Sequence, residues 1–421
     1  MSLVLDIVDD ILSRLPARSL VRFKGVCKEW CHHIQSHSFI ARHTKIQETN
    51  EKLLIYHCQS LGFNYAVSIC SEQQEEQVHD DDDGRTMFHQ SNHQQFFIKH
   101  VPLHCSAHDN NNCINRIKEI ELVGTCNGLI CFCHIDCKKN GIIVALWNPT
   151  TRDLKTLPLF QELTVARGTY SLNDFRRGTQ TWTDHMGFGY DCTTDDYKVL
   201  RISEEEEHTY QMKIYSLRRN TWLNFDCSDV SAEICAPRTL FRKDKFCWVA
   251  SCPDGIVAMV ILLFDIVKEV FRQIPLPLGI TNDYYRNNVA NIFAMHDSIG
   301  VVLYCEVKFD KIFQIWTSKN FQRSRPSWIN MANIGPHSLI GRPLGFWKCR
   351  NSNDLLFLLF HEDNETTTAE WTVYNNAMKG FYVNDKGQIS RNMMNIKVNN
   401  RIALPLQVLT YVETLVSVNR S

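Results

Sequence analysis

The chain lacks the features that would assign it to several large classes of protein. Its 421 residues carry 45 Lys and Arg against 46 Asp and Glu, so no basic excess indicates a nucleic-acid partner or a membrane surface. The longest apolar run, residues 255–264, is far too short to cross a bilayer. The N-terminus shows no basic segment followed by an apolar core, so we expect no secretory signal and a cytoplasmic or nuclear location.

Motifs for common catalytic and metal sites are also absent. The chain contains neither the GxSxG turn of a serine hydrolase nor the GxxxxGK[ST] loop that binds phosphates. Its 17 cysteines include no CxxC pair of the kind that binds zinc. The densest group consists of Cys126, Cys131, Cys133, His134 and Cys137. Cys131 and Cys133 would share one face of a strand, as core residues do, so we expect reduced thiols, no metal and no cofactor.

The first 45 residues predict two amphipathic helices that meet at a proline. Pro16 lacks an N–H and restricts the residue before it, so it separates the two segments. The apolar positions recur at helical spacing. They are Ile7, Val8, Ile11, Leu12 and Leu15 before the proline, and Leu20, Phe23, Cys27, Trp30 and Ile34 after it. A helical hairpin this small cannot bury its own stripe, so it must pack on the rest of the chain or on a partner.

The order of residues in this stretch resembles the F-box. The matching elements are Ile11-Leu12, Arg14-Leu15-Pro16, Ser19-Leu20, Arg22-Phe23, Val26-Cys27-Lys28, Trp30, Phe39-Ile40 and His43. Two positions depart from the motif, because Val4 replaces a proline and Cys31 replaces a usual arginine. The resemblance implies that the helices dock on a Skp-type adaptor protein. The residues assigned to this contact are Ile11, Leu12, Leu15, Pro16, Leu20, Val26, Trp30 and Ile34. Some of them could instead hold the hairpin together.

The remainder of the chain predicts β-structure organised by a weak repeat. From Leu53 onward, short segments rich in Val, Ile and aromatic residues alternate with turn residues. Each copy is an apolar strand, a polar turn and a second strand, and the aligned aromatics are Trp147, Tyr215, Phe264, Trp316 and Tyr374. Two more strands fit between copies, and four strands per unit is typical of a β-propeller blade. An irregular pair of β-sandwiches is the alternative.

Blocks along the whole chain resemble plant F-box proteins with an F-box-associated interaction domain, and the S-locus pollen F-box proteins look similar. These blocks include Gly124–Ile130, Trp147–Arg152, Gly187–Asp191, Asp196–Val199, Ile274–Pro277 and Pro343–Phe346. The expected fold is α+β and multidomain. A small all-α F-box hairpin at 1–45 precedes an all-β, Kelch-like β-propeller of about six blades at 46–421. Residues 71–95 form a polar insert that we expect to be a solvated loop, and residues 50–120 contain no clear copy of the repeat.

The resemblance implies a non-catalytic substrate-recognition adaptor subunit of a Skp–cullin–F-box ubiquitin ligase. The Skp-type adaptor would link the chain to a cullin and a RING protein, and the propeller would hold a target protein for ubiquitination and proteasomal degradation. Arginines and aromatics favour a substrate contact in the connection at 160–184. They are Arg167, Tyr170, Phe175, Arg176, Arg177 and Trp182. Two alternatives stay open. One is a protein-binding propeller without the ligase link, and the other is a propeller hydrolase, which needs paired carboxylates.

Overall fold

The structure is a computed structural model, and it describes most of the chain in segments. The described residues are 2–59, 64–72, 86–88, 96–102, 120–136, 141–159, 184–206, 209–227, 230, 232–235, 239–252, 259–277, 288–295, 298–307, 310–323, 325–338, 340–348, 355–361, 378–383, 394–396 and 403–419. All statements below concern these residues.

The N-terminal domain is all-α, as predicted, and it contains four helices where the predicted hairpin had two. They are α1 (Ser2–Arg14), α2 (Ala17–Phe23), α3 (Lys28–Gln35) and α4 (His37–Gln47), followed by a 3-10 turn at Glu48–Asn50. The break at Pro16 is confirmed. The segment predicted as one second helix is interrupted once, at residues 24–27, where Cys27 Sγ accepts a hydrogen bond from Trp30 N–H, and beyond that segment Ser36 Oγ accepts one from Phe39 N–H. These two caps start new helices.

The last of these helices, α4, ends two residues beyond the boundary expected at residue 45. The first strand begins at Lys52, directly after the 3-10 turn. Among the described helices, none has both the length and the apolar character needed to cross a membrane.

Six antiparallel sheets make up the rest of the described chain. The first contains β1 (Lys52–Gln59), β2 (Asn64–Glu72), β3 (Thr86–Phe88), β4 (Phe96–Pro102) and β26 (Ala403–Tyr411). The second contains β5 (Ile120–Cys126), β6 (Leu129–Asp136), β7 (Gly141–Trp147) and β8 (Leu154–Thr156). The third contains β9 (Asp184–Asp191), β10 (Asp196–Glu206), β11 (Thr209–Ser216) and β12 (Thr221–Phe225).

The other three sheets follow in chain order. The fourth contains β13 (Glu233–Ile234), β14 (Leu240–Arg242), β15 (Lys245–Ser251), β16 (Met259–Asp265) and β17 (Val270–Pro275). The fifth contains β18 (Asn288–Met295), β19 (Ser298–Val307), β20 (Asp310–Ser318) and β21 (Ile329–Ser338). The sixth contains β22 (Ile340–Lys348), β23 (Leu355–His361), β24 (Met378–Val383) and β25 (Met394–Ile396).

The sheets close into a ring, which confirms the predicted propeller of about six blades. The innermost strands β26, β5, β9, β14, β18 and β22 each contact the next around the ring, and β22 returns to β26. The ring is closed by the two ends of the β-region, because C-terminal β26 pairs antiparallel with β1. This pairing explains the missing repeat at 50–120, since the first blade takes its inner strand from the other end of the chain.

The repeated aromatics mark the third strand of successive blades. Trp147 ends β7, Tyr215 lies in β11, Phe264 in β16 and Trp316 in β20. In the sixth blade the third strand is β24, and Tyr374 lies outside the described residues. The polar insert is only partly a loop, because β3 pairs with β4 at the edge of the first sheet. The rest of the insert beyond Glu72 lies outside the described residues.

Candidate functional site

Helix α1 has an apolar side that packs inward and an apolar side that remains in solvent. Leu12 is buried, and Val8 and Leu15 pack against the same core. Ile7 and Ile11 lie one helical turn apart, and each is 54% exposed. Two isoleucines at this spacing form a continuous apolar strip on the surface of the helix, which is available to a partner.

The turn between α2 and α3 presents a third exposed apolar residue. Residues 24–26 form this turn, with Val26 N–H donating to Phe23 O at 3.0 Å. The Val26 side chain is 63% exposed, the largest exposed fraction among the large hydrophobic residues described. Behind it, the rings of Phe23 and Trp30 pack edge to face with centroids 5.6 Å apart. Trp30 is therefore half-buried and supports the turn that presents Val26.

The eight residues assigned from sequence to adaptor docking fall into three groups. Ile11, Pro16 and Val26 are exposed, and Leu15 and Trp30 are half-buried. Leu12, Leu20 and Ile34 are buried, with no more than 2% of their surface in solvent. They belong to one core cluster with propeller residues such as Leu129 and Val199. In this conformation their surface is covered by the chain itself. The docking role of all eight stays a prediction.

A network of charged and polar groups holds the four helices together. Asp9 of α1 lies 2.6 Å from His33 Nε2 of α3, and it also pairs with the Arg42 guanidinium of α4. His43 donates from Nε2 to the carbonyl of Leu15 at 2.9 Å. Burial lowers the pKa of His43, although its contact with Leu15 O and the nearby Glu413 carboxylate oppose this shift. His43 is therefore a neutral structural donor near neutral pH.

The C-terminal segment 412–418 lies between the helices and the second blade. Thr414 Oγ1 is 3.2 Å from Thr44 Oγ1, and the side chain of Asn148 donates to Thr414 O at 3.1 Å and to Val416 O at 2.7 Å. Glu413 pairs with Arg18 at 3.5 Å and with Lys52 at 2.9 Å. These contacts link α2, α4 and the propeller through one segment, which we call the C-terminal strap.

The turn after β5 fits closely against this strap. Gly128 has a φ of +76°, and a Cβ added there would lie 2.4 Å from Val412 O and 2.5 Å from Thr414 Cγ2. Only glycine allows both this backbone conformation and this close approach. The turn is the Asn127-Gly128 pair, and Asn127 also has a positive φ. The strap itself carried no sequence signal, because its partners are separated from it by hundreds of residues.

The inner strands end on the face of the propeller that carries the helices. The end of β26 leads into the strap, the end of β5 contacts the strap through Gly128, and Asp195 after β9 lies 2.9 Å from His37. Asp244 after β14 accepts a hydrogen bond from Cys192 at 3.5 Å. Because these inner strands run in the same direction, they begin on the opposite face. The described residues that flank the connection at 160–183 lie toward that opposite face.

The six residues assigned from sequence to substrate contact lie outside the described residues. They are Arg167, Tyr170, Phe175, Arg176, Arg177 and Trp182. The assignment therefore stays a prediction.

Two buried aspartates of the propeller, Asp191 and Asp265, act as turn residues on the face that carries the helices. Asp191 Oδ1 accepts from the backbone N–H of Thr193 at 2.9 Å, and Asp191 Oδ2 pairs with Lys198 at 2.6 Å. Burial alone would raise the pKa of Asp191, but these hydrogen bonds outweigh it and lower that pKa. Asp265 makes equivalent contacts with Val267 N–H and Lys245 in the fourth blade. An ionised carboxylate in such a turn stabilises the hairpin and is unsuited to act as a general acid.

The clustered cysteines pack in the interior of the second blade. Cys131 and Cys133 are both fully buried in the core cluster shared with the helices. Burial raises the pKa of Cys131, so its thiol stays protonated. Their placement confirms the prediction that they share a core-facing side of one strand, while Cys137 lies outside the described residues.

The geometry defines a class of protein: a propeller whose N-terminal helices share its core and present a separate apolar surface. A family model for the F-box domain matches residues 1–42, and a model for the F-box associated beta propeller domain matches residues 85–418. The chain therefore belongs to the F-box proteins with an F-box associated beta propeller domain.

Two curated proteins from Arabidopsis thaliana are similar to most of the chain. The F-box/kelch-repeat protein At3g23880 is 26% identical over 82% of this chain and 82% of its own length. The F-box protein CPR1 is 25% identical over 78% of this chain and 72% of its own length. A weaker likeness in structure is found to TolB from Acinetobacter baumannii, with a TM-score of 0.44 and 9% identity over 89% of this chain and 73% of that chain.

Proposed function

We propose that the chain is the substrate-recognition adaptor subunit of a Skp–cullin–F-box ubiquitin ligase. The observation that carries the proposal is the set of three exposed apolar residues Ile7, Ile11 and Val26 on an F-box domain in which most other apolar side chains described from residue 7 onward are covered. These residues offer apolar surface to a Skp-type adaptor, which would connect the chain to a cullin and a RING protein. The membership in the F-box proteins supports this assignment.

The chain would act by proximity and without bond chemistry of its own. A ligase subunit that holds a target protein beside a charged conjugating enzyme turns a bimolecular encounter into one at high effective concentration. The target would then be ubiquitinated and degraded by the proteasome. Such a role requires a defined distance between the two partners, and the strap contacts through Glu413 and Thr414 support a fixed placement of the helices on the propeller.

We further propose that the target protein binds the propeller face opposite the helices. The helices and the strap already occupy part of the first face, through contacts at Asp195, Asn148 and Gly128. The longest connections between blades join strands at the other face, including the connection at 160–184. The proposed location in the cell is the cytoplasm or the nucleus, which a fluorescent fusion would test.

The direct test is capture of the full chain by a purified Skp-type adaptor. The variant Ile11→Asp plus Val26→Asp places two charges on the proposed contact surface. The matched control is Leu154→Asp plus Ile329→Asp, whose side chains are 61% and 62% exposed on outer strands of the propeller. We expect the wild type and the control to bind. The first variant should lose about 2 kcal/mol or more per contact residue, which is about thirtyfold in affinity for each.

Two results would contradict the proposal. Unchanged binding by the Ile11→Asp plus Val26→Asp variant would show that this surface is not the contact. Absence of binding by the wild type at micromolar adaptor would favour a protein-binding propeller without the ligase link. Circular dichroism on all three proteins would show whether the helices and strands are retained, so that loss of binding is not confused with unfolding.

A further inference from the structure

The centre of the propeller contains a cavity with a single charged residue. The cavity has a volume of about 100 Å³ and is lined by residues from the inner strand of every blade, from β26 round to β22. Most of these lining residues are apolar, such as Val123, Phe188 and Phe346. Within the described part of the chain, Arg242 is the only charged residue that lines it. The electrostatic potential of this cavity is therefore set by one guanidinium group.

The Arg242 side chain is not neutralised by the described residues around it. Its Nε atom is buried and has no hydrogen-bond partner among them. The closest acidic residue along the chain is Asp244, whose charge also lies near Cys126, but it forms no ion pair with Arg242 in the described structure. Cys126 also lies near Arg242, but burial raises the pKa of this thiol to about 12, so it supplies no negative charge.

An arginine in this setting favours an oxyanion. A guanidinium group has five N–H donors in a planar fork that matches a carboxylate or a phosphate with two parallel hydrogen bonds. Such pairing is stronger in a partly enclosed cavity than in bulk water, because the surrounding dielectric is lower. The volume of the cavity fits a group of a few heavy atoms and is too small for a nucleotide.

We propose that the central cavity binds one small oxyanion group, a carboxylate or a phosphate, and that Arg242 is the residue that pairs with it. The anion could be a free small molecule or the acidic side chain of a bound polypeptide. Both have the same chemistry at the guanidinium. The proposal does not depend on the adaptor role, because it rests only on the inner strands of the propeller.

The test is a titration of the full chain at constant ionic strength, with sodium chloride replaced by the anion under study. Inorganic phosphate and acetate represent free anions, and N-acetyl aspartate amide represents the side chain of a polypeptide. Calorimetry would measure binding, and thermal unfolding would measure stabilisation by the bound anion. We expect saturable binding of at least one of these three compounds to the wild type.

Two substitutions and a control assign the binding to Arg242. Arg242→Met keeps a long side chain but removes the charge, and it should lower the affinity at least tenfold. Arg242→Lys keeps the charge but loses the fork, so its affinity should lie between those of the wild type and Arg242→Met. The control is Arg272→Met, an exposed arginine on outer strand β17, which should bind as the wild type does. Because Arg242 Nε has no described partner, we expect both substitutions at this position to fold.

The possible results separate clearly. Binding of N-acetyl aspartate amide alone would indicate an acidic polypeptide segment as the natural ligand, and binding of phosphate alone would indicate a free or esterified phosphate. If none of the three compounds saturates the wild type, the proposal is wrong. Equal affinity of Arg242→Met and the wild type for the anion would also overturn it. If Arg242→Met does not fold, equal affinity of Arg242→Lys and the wild type would overturn the proposal in its place.

Discussion

The N-terminal helices and the fifth and sixth blades bury their apolar residues in different ways. The two blades form a cluster of their own, in which Phe357 of the sixth blade packs against Phe313 of the fifth blade and against Phe346 of its own sheet. The helices have no such separate core. Leu20 and Ile34 belong to the cluster that contains strands of the second and third blades and the strap. A domain of fewer than 50 residues buries too little surface alone, so it completes its core on the propeller.

This difference has a consequence for function. The side of each helix that packs on the propeller is covered and cannot contact a partner. The apolar residues that remain exposed are those available to a partner. Ile7 and Ile11 belong to this second group, although in sequence they are indistinguishable from Val8 and Leu12. The orientation of the helices on the propeller therefore selects the surface available for docking.

The largest change in stability is expected from Ile34→Ala, a substitution in the core that the helices share with the propeller. Ile34 is fully buried in the shared core, so its truncation should lower the free energy of unfolding by about 2–5 kcal/mol. Because the core is shared, hydrogen exchange should become faster in β6 and β10 as well as in the helices. Ile11→Ala, at an exposed position in α1, should change the free energy of unfolding by less than about 0.5 kcal/mol. Faster exchange confined to the helices would show that the two regions are independent.

A smaller effect is expected where the strap meets the second blade. Gly128→Ala forces a Cβ into Val412 O and Thr414 at a positive φ, so it should cost at least about 1 kcal/mol and should also weaken the packing of α4 through Thr44. Gly124→Ala in the preceding strand β5 is the control, because its Cβ would meet only Phe188 Cβ at 3.9 Å. Chemical denaturation would measure both. Equal costs at the two glycines would show that the strap contact contributes nothing.

The smallest effect is expected in the pH dependence of stability. It can be compared between one buried histidine of the propeller and one of the helices. Burial lowers the pKa of His185 in the propeller to about 4, and it also lowers the pKa of His43 in α4. Each is neutral in the folded chain, while the unfolded chain takes up a proton as the pH falls through about 6.5. Stability is therefore complete above this pH and decreases as the pH falls toward the pKa of the folded state.

The two substitutions His185→Gln and His43→Gln should each make the stability less dependent on pH between about 7 and 5. The change should be larger for His185, because Leu15 O and Glu413 partly oppose the shift of His43. Urea denaturation at several pH values would measure these slopes. An unchanged slope in the His185→Gln protein would contradict the expected neutral state of this side chain.

Much of the fold could be predicted from the local sequence pattern, whereas the candidate site could be predicted only in part. The break at Pro16 was recognised from the missing N–H of proline, and the aromatic residues of the third strands were recognised from the repeat. The cap at Cys27 was missed because the apolar spacing continues across it, and the cap at Ser36 lies beyond the predicted stripe. Leu12, Leu20 and Ile34 were assigned to docking because an apolar stripe shows that a face is covered without showing what covers it. Ile7 was recognised as part of the stripe but was not assigned to the contact.

The sequence by itself determined the elements whose cause is local: amphipathic helices around Pro16, alternating strands with polar turns, and the glycine that the turn at 127–128 requires. Only the tertiary structure decided which blade receives its inner strand from the C-terminus, which side of α1 faces solvent, and that Arg242 is the one charged group among the described residues lining the central cavity. The physical reason is that periodicity and backbone conformation act over a few residues. The burial of an apolar stripe and the pairing of a charge depend on groups that are distant in sequence, such as Thr44 and Thr414.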